Sequence, residues 1–125
     1  MPKVLLIEDD ETMISLLRTL LQLEGYEAIR LNHTITPQDV LEAVRREKPA
    51  LILLDVYLRN MNGFDLLKCL REDPETRQAR ILMSSGTDFK GQCLEQGADD
   101  FILKPYMPNE LMNKIRLTLE DQEQS

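Results

Sequence analysis

The stretch KVLLIEDDETMISLL, residues 3–17, joins four consecutive apolar residues to four consecutive acids. The apolar run 4–7 has no polar alternation, and such a run suits a strand buried on both faces of a parallel sheet. The acids that follow repel one another, and burying an uncompensated carboxylate is costly. Two interpretations stay open at this point. The acids form the solvated first turn of a helix, or a positively charged partner lies beside them.

Further apolar runs of this kind occur along the chain, and helical patterns separate them. Because strands and helices alternate, the pattern predicts an α/β fold with a parallel sheet covered on both faces by right-handed crossovers. The strand candidates after the first are YEAIRL (26–31), which is the weakest, then ALILLD (50–55), RILMS (80–84) and DFILK (100–104).

The helices are predicted from apolar residues at helical spacing. Gly25 stops the first helix, Thr36 and Pro37 open the second as N-cap and first-turn proline, and Pro108 opens the last. Segment 87–96 contains Gly91 and is predicted to be a short helix. The stripes are Met13, Leu16, Leu17, Leu20 and Leu21; Val40, Leu41 and Val44; Phe64, Leu67 and Leu70; and Leu111, Ile115 and Leu119.

Length and charge restrict the class of protein. The 125 residues predict one domain over residues 1–120, with 121–125 as a polar tail or the start of a linker. A net charge of -7 argues against a general nucleic-acid or anionic-membrane binder. No secretory or membrane-spanning segment is visible, so a cytoplasmic location is predicted. Cys69 and Cys93 are expected to be free thiols, and His33 a loop residue.

Polar side chains stand at the ends of four predicted strands. Glu8, Asp9 and Asp10 follow the first strand, Asp55 ends the third, Ser84 and Ser85 end the fourth, and Lys104 ends the fifth. In an open parallel sheet these ends form the ligand-binding edge. Carboxylates without histidine or cysteine suit a hard cation such as Mg²⁺, and a carboxylate can attack phosphorus. Each feature alone is commonplace, but the ordered set predicts a phosphoryl site with Asp55 as nucleophile.

The motifs VLLIEDDE, LILLDVYLRNMNG, ILMSSG and GADDFILKP resemble the receiver domain of bacterial two-component response regulators. The resemblance runs from about residue 3 to residue 120. It implies a flavodoxin-like (βα)5 three-layer sandwich, with five parallel strands in the order 2-1-3-4-5. It also implies Mg²⁺ as cofactor, with Mn²⁺ as an alternative.

The resemblance assigns roles within the phosphoryl site. Asp55 would accept a phosphoryl group from the phosphohistidine of a sensor histidine kinase or a phosphotransfer protein. Asp9 and Asp55 would bind the metal directly, Glu8 through water, and Tyr57 through its main-chain carbonyl. Lys104 would pair with Asp55 before phosphorylation and with a phosphoryl oxygen afterwards. The first acidic run would then divide: Glu8 and Asp9 face the site, while Asp10 and Glu11 begin the helix, with Asp10 as its cap.

Other residues would transmit or time the signal. Ser85 would bond the phosphoryl group, and the ring of Phe101 would follow it. Tyr57 and Thr87 would flank the path of the hydrolytic water, so a bulky Tyr57 predicts a long phosphoryl lifetime. The Lys104–Pro105 peptide bond would be cis.

The chain departs from the family pattern at four places. Arg59 stands where proline is usual, which predicts a more mobile loop or a partner contact. Ser85 replaces threonine, and Phe101 lacks the hydroxyl of the common tyrosine. Only eleven residues separate Ser85 from Gly97, so the fourth helix should be short by nearly a turn.

The expected function is a phosphorylation-dependent switch of the face formed by helix 4, strand 5 and helix 5. Such a protein is not an enzyme, apart from catalysing its own phosphorylation and dephosphorylation. The output partner stays unidentified, a homodimer stays open, and no direct binding to nucleic acid or membrane is expected. One alternative is an interaction module that keeps the fold without phosphorylation. Another is an aspartyl phosphatase, which would want an acid where Tyr57 stands.

Overall fold

A computed structural model describes residues 1–31 and 36–124, with side chains up to residue 120. His33, predicted to be a loop residue, lies outside the described residues. Strands and helices alternate along the chain as the sequence predicts. They are β1 (Lys3–Ile7), α1 (Glu11–Leu23), β2 (Glu27–Arg30), α2 (Pro37–Glu47), β3 (Leu51–Asp55), α3 (Gly63–Glu72), β4 (Ile81–Ser85), α4 (Lys90–Glu95), β5 (Asp100–Leu103) and α5 (Pro108–Gln124).

The strands form one parallel sheet in the order β2-β1-β3-β4-β5, which confirms the expected topology. Successive side chains of a strand point to opposite faces, so each strand supplies two cores. Leu5 and Ile7 pack with α2, α3 and α4, whereas Val4 and Leu6 pack with α1 and α5. The molecule is therefore a three-layer sandwich. The central strands β1, β3 and β4 are apolar except at their ends, because both of their faces are covered.

Local capping explains where the first two helices begin. The Asp10 side chain accepts a hydrogen bond from the Met13 N–H at 3.1 Å, so Asp10 is the N-cap that the sequence predicts. Thr36 as N-cap and Asp39 as the third helical residue form a capping box around Pro37. These contacts satisfy main-chain donors that a helix start otherwise leaves unpaired.

The buried stripe of α1 differs from the predicted one. Ile14, Leu17 and Leu21 are buried, while Leu16 is 51% exposed. Spacing alone allowed two overlapping stripes, and packing against the sheet selects the one centred on Ile14 and Leu17. Leu16 then lies on the outer flank of the helix.

Helix boundaries near the C-terminal half also differ from the prediction. The α4 helix has six residues, shorter than the predicted segment 87–96, and its N-cap Phe89 offers no side-chain acceptor. The α5 helix continues to Gln124 and so includes residues 121–124 of the stretch predicted to be a tail. The predicted domain boundary at residue 120 stays a prediction. No helix within the described ranges is long and apolar enough to cross a membrane.

Candidate phosphoryl site

Strand register brings the predicted site residues to one edge of the sheet. Ile7 of β1 pairs with Leu54 of β3. Glu8 and Asp55, the residues that follow this pair, therefore lie at the same level of the sheet. On the other side of β3, the register continues through β4 to Leu103, which directly precedes Lys104. The carboxyl ends of β1, β3 and β5 therefore converge, although their residues are far apart in sequence.

An open cleft of about 690 Å³ lies at this edge. Five carboxylate side chains and two cationic side chains line it, so its charge is strongly negative. Ser85, Thr87 and Phe101 do not contribute to its lining. The lining residues are Glu8, Asp9, Asp10, Glu11, Thr12, Asp55, Tyr57, Leu58, Arg59 and Lys104.

Lys104 is shared between two carboxylates. Its Nζ lies 2.7 Å from Glu8 Oε1 and 3.4 Å from Asp55 Oδ2. The expected pairing with Asp55 is present, but Glu8 is the closer partner. Burial alone would lower the pKa of Lys104, yet the hydrogen bond that Lys104 donates to Glu8 and the charge of Asp55 raise it on balance. Lys104 therefore remains an ammonium at neutral pH.

The Glu8 carboxylate is fixed in place by its neighbours. Its Oε2 accepts the N–H of Asp9 at 2.9 Å and the N–H of Asp10 at 3.3 Å, while Oε1 accepts Lys104. For Glu8, the positively charged partner is therefore Lys104. Asp10 and Glu11 belong to the start of α1, where Glu11 makes a two-pronged ion pair with Arg30.

The pKa of Asp55 is raised from 3.8 to about 6. Burial at the end of β3 is the main cause, and the charge of Glu8 adds to it, while Lys104 opposes both. At neutral pH Asp55 is mostly a carboxylate, as a nucleophile must be. Its negative charge is incompletely compensated, which favours the approach of a cation.

Asp9 is bound by the loop that follows β3. The main-chain N–H of Arg59 donates a hydrogen bond to Asp9 Oδ2. Proline has no N–H, so the residue that is usual in the family at this position could not make the bond. Sequence reasoning identified Arg59 as a departure but missed this contact, because it depends on main-chain geometry and not on the arginine side chain.

Gly63 is required by a close approach of main chains. A Cβ atom at this position would lie 2.4 Å from the Asp55 carbonyl oxygen and 2.7 Å from the Val56 Cα. The Gly63 N–H also donates to the Val56 carbonyl at 2.7 Å. The glycine in VYLRNMNG was the sequence signal for this contact, and it holds the start of α3 against the end of β3.

The chemistry of the donors fits Mg²⁺. Asp9, Asp55 and the residue Tyr57 line the same cleft and offer only oxygen, and Mg²⁺ takes one or two carboxylates together with carbonyls and water. Over residues 1–31 and 36–124, no three acidic, histidine or cysteine side chains form a ready-made metal cluster. A cation in this cleft would therefore be held by few protein ligands, or would require a small movement of the side chains now bonded to Lys104 and to the Arg59 N–H.

Ser85 and Phe101 lie behind the cleft. The Ser85 side chain is buried, and its Oγ accepts the Thr87 N–H at 3.0 Å. The Phe101 ring is only 3% exposed and packs in the same core cluster as Cys93 of α4. The Lys104–Pro105 peptide bond is cis, as predicted.

The Tyr57 ring contacts an aromatic residue that the sequence analysis passed over. Tyr57 is 60% exposed, and its ring centroid lies 6.0 Å from that of Phe89, the residue before α4. Phe89 lies outside every motif of the resemblance. The sequence indicates a role for Phe89 only through its position, two residues after Thr87. It lies in the segment between Ser85 and Gly97, which is shorter here than is usual in the family.

Cys69 is partly buried and Cys93 is buried, and both are free thiols in this structure. Burial raises the pKa of Cys93 to about 11. A thiol with a raised pKa is a poor nucleophile at neutral pH. Cys93 is therefore a packing residue between α4 and the sheet.

Known proteins are similar to this chain in both sequence and fold. The family model of the response regulator receiver domain matches residues 4–116. The DNA-binding response regulator MtrA of Mycolicibacterium smegmatis is 32% identical over 97% of this chain and 52% of its own length. The transcriptional regulatory protein CpxR of Escherichia coli is 37% identical over 95% of this chain and 50% of its own length. The chain thus spans about half the length of these curated relatives.

Comparison with solved structures also finds a response regulator. The crystal structure of a putative response regulator from Chloroflexus aurantiacus superposes with a TM-score of 0.84 at 30% identity, covering 96% of this chain and 99% of that chain. Together with the strand order and the residues that meet at the sheet edge, this similarity establishes that this chain belongs to the response regulator receiver domain family.

Proposed function

We propose that this chain is a phosphoacceptor, with Asp55 receiving a phosphoryl group from the phosphohistidine of a sensor histidine kinase or a phosphotransfer protein. The observation that carries the proposal is the position of Asp55, whose carboxylate lies 3.4 Å from Lys104 in a cleft shared with Glu8 and Asp9. The proposed location is the cytoplasm, where such donors act.

The transfer is a substitution at phosphorus. A carboxylate oxygen of Asp55 forms the new O–P bond, and the P–N bond to the donor imidazole breaks, its electron pair remaining on the nitrogen. Lys104 pairs with a phosphoryl oxygen and so offsets charge as it moves onto Asp55. Water later cleaves the acyl phosphate and returns the Asp55 carboxylate with inorganic phosphate. The protein is an enzyme only toward itself.

Asp9, Asp55 and the Tyr57 carbonyl would hold Mg²⁺, or Mn²⁺ as the alternative, with Glu8 reached through water. When bound, the cation neutralises phosphoryl oxygens and orients them for in-line transfer. The chain's own contribution is to supply an acidic cleft around a partly buried Asp55. Such a cleft attracts a cation more strongly than separate surface acids would.

The response to phosphorylation would begin at Ser85. Its Oγ accepts the Thr87 N–H, and its O–H would donate to a phosphoryl oxygen, which is a charged and therefore strong acceptor. Because Phe101 is already buried, its response would be a repacking within the core next to α4 and not an inward swing. The equilibrium between two packings is then biased by one charged group.

The proposed output face consists of α4, β5 and α5. Apolar side chains are exposed there, which suits a partner protein or a second copy in a homodimer. MtrA and CpxR are DNA-binding and transcriptional regulators, but this chain matches only half of each, and we expect no direct nucleic-acid contact from residues 1–120. The exposed apolar side chains are Leu94, Leu103, Met107 and Leu117.

The test is phosphorylation by a small-molecule donor. The chain is incubated with Mg²⁺ and acetyl phosphate, and its intact mass is measured with and without EDTA. We expect the mass of one phosphoryl group to be added in the presence of Mg²⁺, and no addition in Asp55→Asn. A mass change that persists in Asp55→Asn, or that ignores EDTA, would contradict the proposal.

Tyr57 and Thr87 are proposed to set the lifetime of the phosphoryl group. Tyr57 lines the cleft next to Asp55, where its ring limits the approach of water. Phosphoryl loss from Tyr57→Ala should therefore be faster than from the parent chain, by intact mass after the donor is removed. Equal rates of phosphoryl loss from the variant and the parent chain would show that Tyr57 does not affect the lifetime.

One arrangement favours a second candidate, an interaction module that works without phosphorylation. The side chain of Asp9 is bonded to the Arg59 N–H, and Glu8 rather than Asp55 is the closer partner of Lys104. The cleft residues thus have internal partners. Partner binding that is the same for the parent chain and Asp55→Asn, with or without acetyl phosphate, would support this candidate.

A further inference from the structure

Three aromatic rings connect the loop after β3 with the start of α4. The Tyr57 and Phe89 centroids are 6.0 Å apart with an interplanar angle of 57°, and the Phe64 and Phe89 centroids are 5.7 Å apart at 79°. Tilted and edge-to-face pairs at these distances are favourable contacts. Phe89 is the member common to both pairs, so it lies between the other two rings.

The three rings are anchored unequally. Phe64, at the start of α3, and Phe89 are partly buried and pack against the core cluster that includes α2, α3 and α4. Tyr57 is mostly exposed, and no hydrogen bond of its hydroxyl is present within the described residues. The contact with Phe89 therefore restricts the orientation of the Tyr57 ring at the edge of the cleft.

Phe89 itself does not line the cleft, and it is the N-cap residue of α4. Its backbone carbonyl accepts the Cys93 N–H at 2.8 Å, which is part of the first turn of that helix. A movement of the helix start would therefore move the Phe89 ring, and with it the ring that stands beside Asp55.

We infer that Phe89 is a positioning residue: its ring holds Tyr57 over the phosphoryl position and thereby couples phosphoryl lifetime to the start of α4. The inference rests on the proposed phosphoacceptor function. Loss of Phe89 frees the Tyr57 ring to rotate into solvent, so water reaches the acyl phosphate more often. Because coupling between two sites is reciprocal in binding free energy, a partner that displaces the start of α4 also changes the environment of the phosphoryl group.

The test is a double-mutant cycle on phosphoryl decay, using Tyr57→Ala, Phe89→Ala and the double variant. Each chain is loaded with acetyl phosphate and Mg²⁺, the donor is removed, and phosphoryl loss is followed by intact mass. We expect Phe89→Ala to accelerate phosphoryl loss about two- to tenfold, which is the rate factor that corresponds to the free energy of one aromatic pair. The double variant should decay no faster than Tyr57→Ala alone, because Phe89 acts through Tyr57.

Controls separate positioning from a general loss of packing. Phe89→Tyr keeps the ring and should keep the parent decay rate, whereas Phe89→Leu keeps apolar volume but should decay quickly. Gln92→Ala, an exposed change in the same helix, should leave the rate unchanged. If Phe89→Leu decays as slowly as the parent chain, apolar packing suffices and the inference is wrong.

A second measurement needs no phosphorylation. Proton NMR of the Tyr57 ring should shift when Phe89 is replaced by leucine, because a nearby ring current is lost, and should not shift in Gln92→Ala. Unchanged Tyr57 resonances, or additive effects in the cycle, would overturn the inference while leaving the phosphoacceptor proposal intact. Failure of the parent chain to take up phosphoryl would overturn both.

Discussion

The two ends of the central sheet both carry clusters of charged residues, but the clusters are balanced differently. At the end that precedes β4 and β5, Arg71 donates to the carbonyls of Gly97, Arg77 and Ala79 at 2.7–2.8 Å and pairs with Asp99 at 3.0 Å. Arg80 also pairs with Asp99, at 3.3 Å. This cluster has several donors for one carboxylate, and each of the three nitrogens of the Arg71 guanidinium donates a hydrogen bond.

At the opposite end, acids outnumber cations. Lys104 is divided between Glu8 and Asp55, and the raised pKa of Asp55 reflects a carboxylate whose charge is poorly compensated. Arg71 satisfies the hydrogen-bonding capacity of main-chain carbonyls and therefore stabilises the fold. The cleft instead has an excess of negative charge, which a bound cation would reduce. The difference separates a cluster in which the charges are paired from a cleft in which the acids are only partly compensated.

The largest expected effect concerns the Arg71 cluster. Arg71→Met should lower the free energy of unfolding by about 2–4 kcal/mol, because three carbonyls and Asp99 lose their shared donor. Arg77→Met, an exposed change at the same end, should stay within about 0.5 kcal/mol of the parent chain. Denaturant titration measures both. Equal losses would mean that the Arg71 network carries no special weight.

The next effect concerns the cleft. Mg²⁺ at 100 times its dissociation constant should raise the free energy of unfolding by roughly 2.7 kcal/mol, provided it binds only the folded chain. Asp9→Asn should weaken this gain and raise stability in EDTA, since one repelling charge is removed. Thermal unfolding over a Mg²⁺ series measures both. The same Mg²⁺ dependence in parent and variant would exclude Asp9 as a ligand.

A pH experiment tests the charge imbalance directly. The pKa of Asp55 is higher in the folded chain than its ordinary value, so its contribution to stability is present below pH 3.8 and is lost as the pH rises through about 6. In EDTA, Asp55→Asn should therefore stabilise the chain by about 1–2 kcal/mol at pH 7. The gain should nearly vanish at pH 3.5. A gain that does not change with pH would assign it to packing and not to charge.

The smallest effect distinguishes the two halves of the acidic run. Glu11 is exposed and pairs with Arg30 at 2.7 Å, outside the group that Lys104 compensates. Glu11→Gln should cause only a slight loss of stability and leave the midpoint of the Mg²⁺ titration unchanged. If this variant shifts the Mg²⁺ midpoint as much as Asp9→Asn does, all four acids act as one cluster and the division is wrong.

Much of the fold followed from local sequence patterns. Continuous apolar runs predicted the strands, Pro37 and Pro108 marked helix starts, and Asp10 was recognised as a cap, because each of these depends on neighbours within a few residues. Strand order came from the family resemblance. The choice of Ile14 over Leu16 for the core did not follow, since helical spacing alone cannot tell which of two adjacent stripes the sheet will cover.

The members of the candidate site were predicted, but several of their contacts were not. Strand ends named Glu8, Asp55 and Lys104, while the closer pairing of Lys104 with Glu8 depends on side-chain conformations across distant segments. The Arg59 bond to Asp9 uses a main-chain N–H that every residue except proline provides. Comparison with the family pattern therefore shows that proline is replaced at position 59, but it does not predict the hydrogen bond that the new main-chain N–H donates to Asp9.

The short hydrogen bond between Gly63 and Val56 has a consequence for how this family member can vary. It joins the two ends of the intervening loop, so main-chain contacts and not the loop side chains set the distance between Asp55 and the start of α3. Substitutions such as arginine at position 59 can then accumulate inside the loop without displacing Asp55. Side chains of this loop can therefore vary in sequence while Asp55 and the start of α3 keep their relative position.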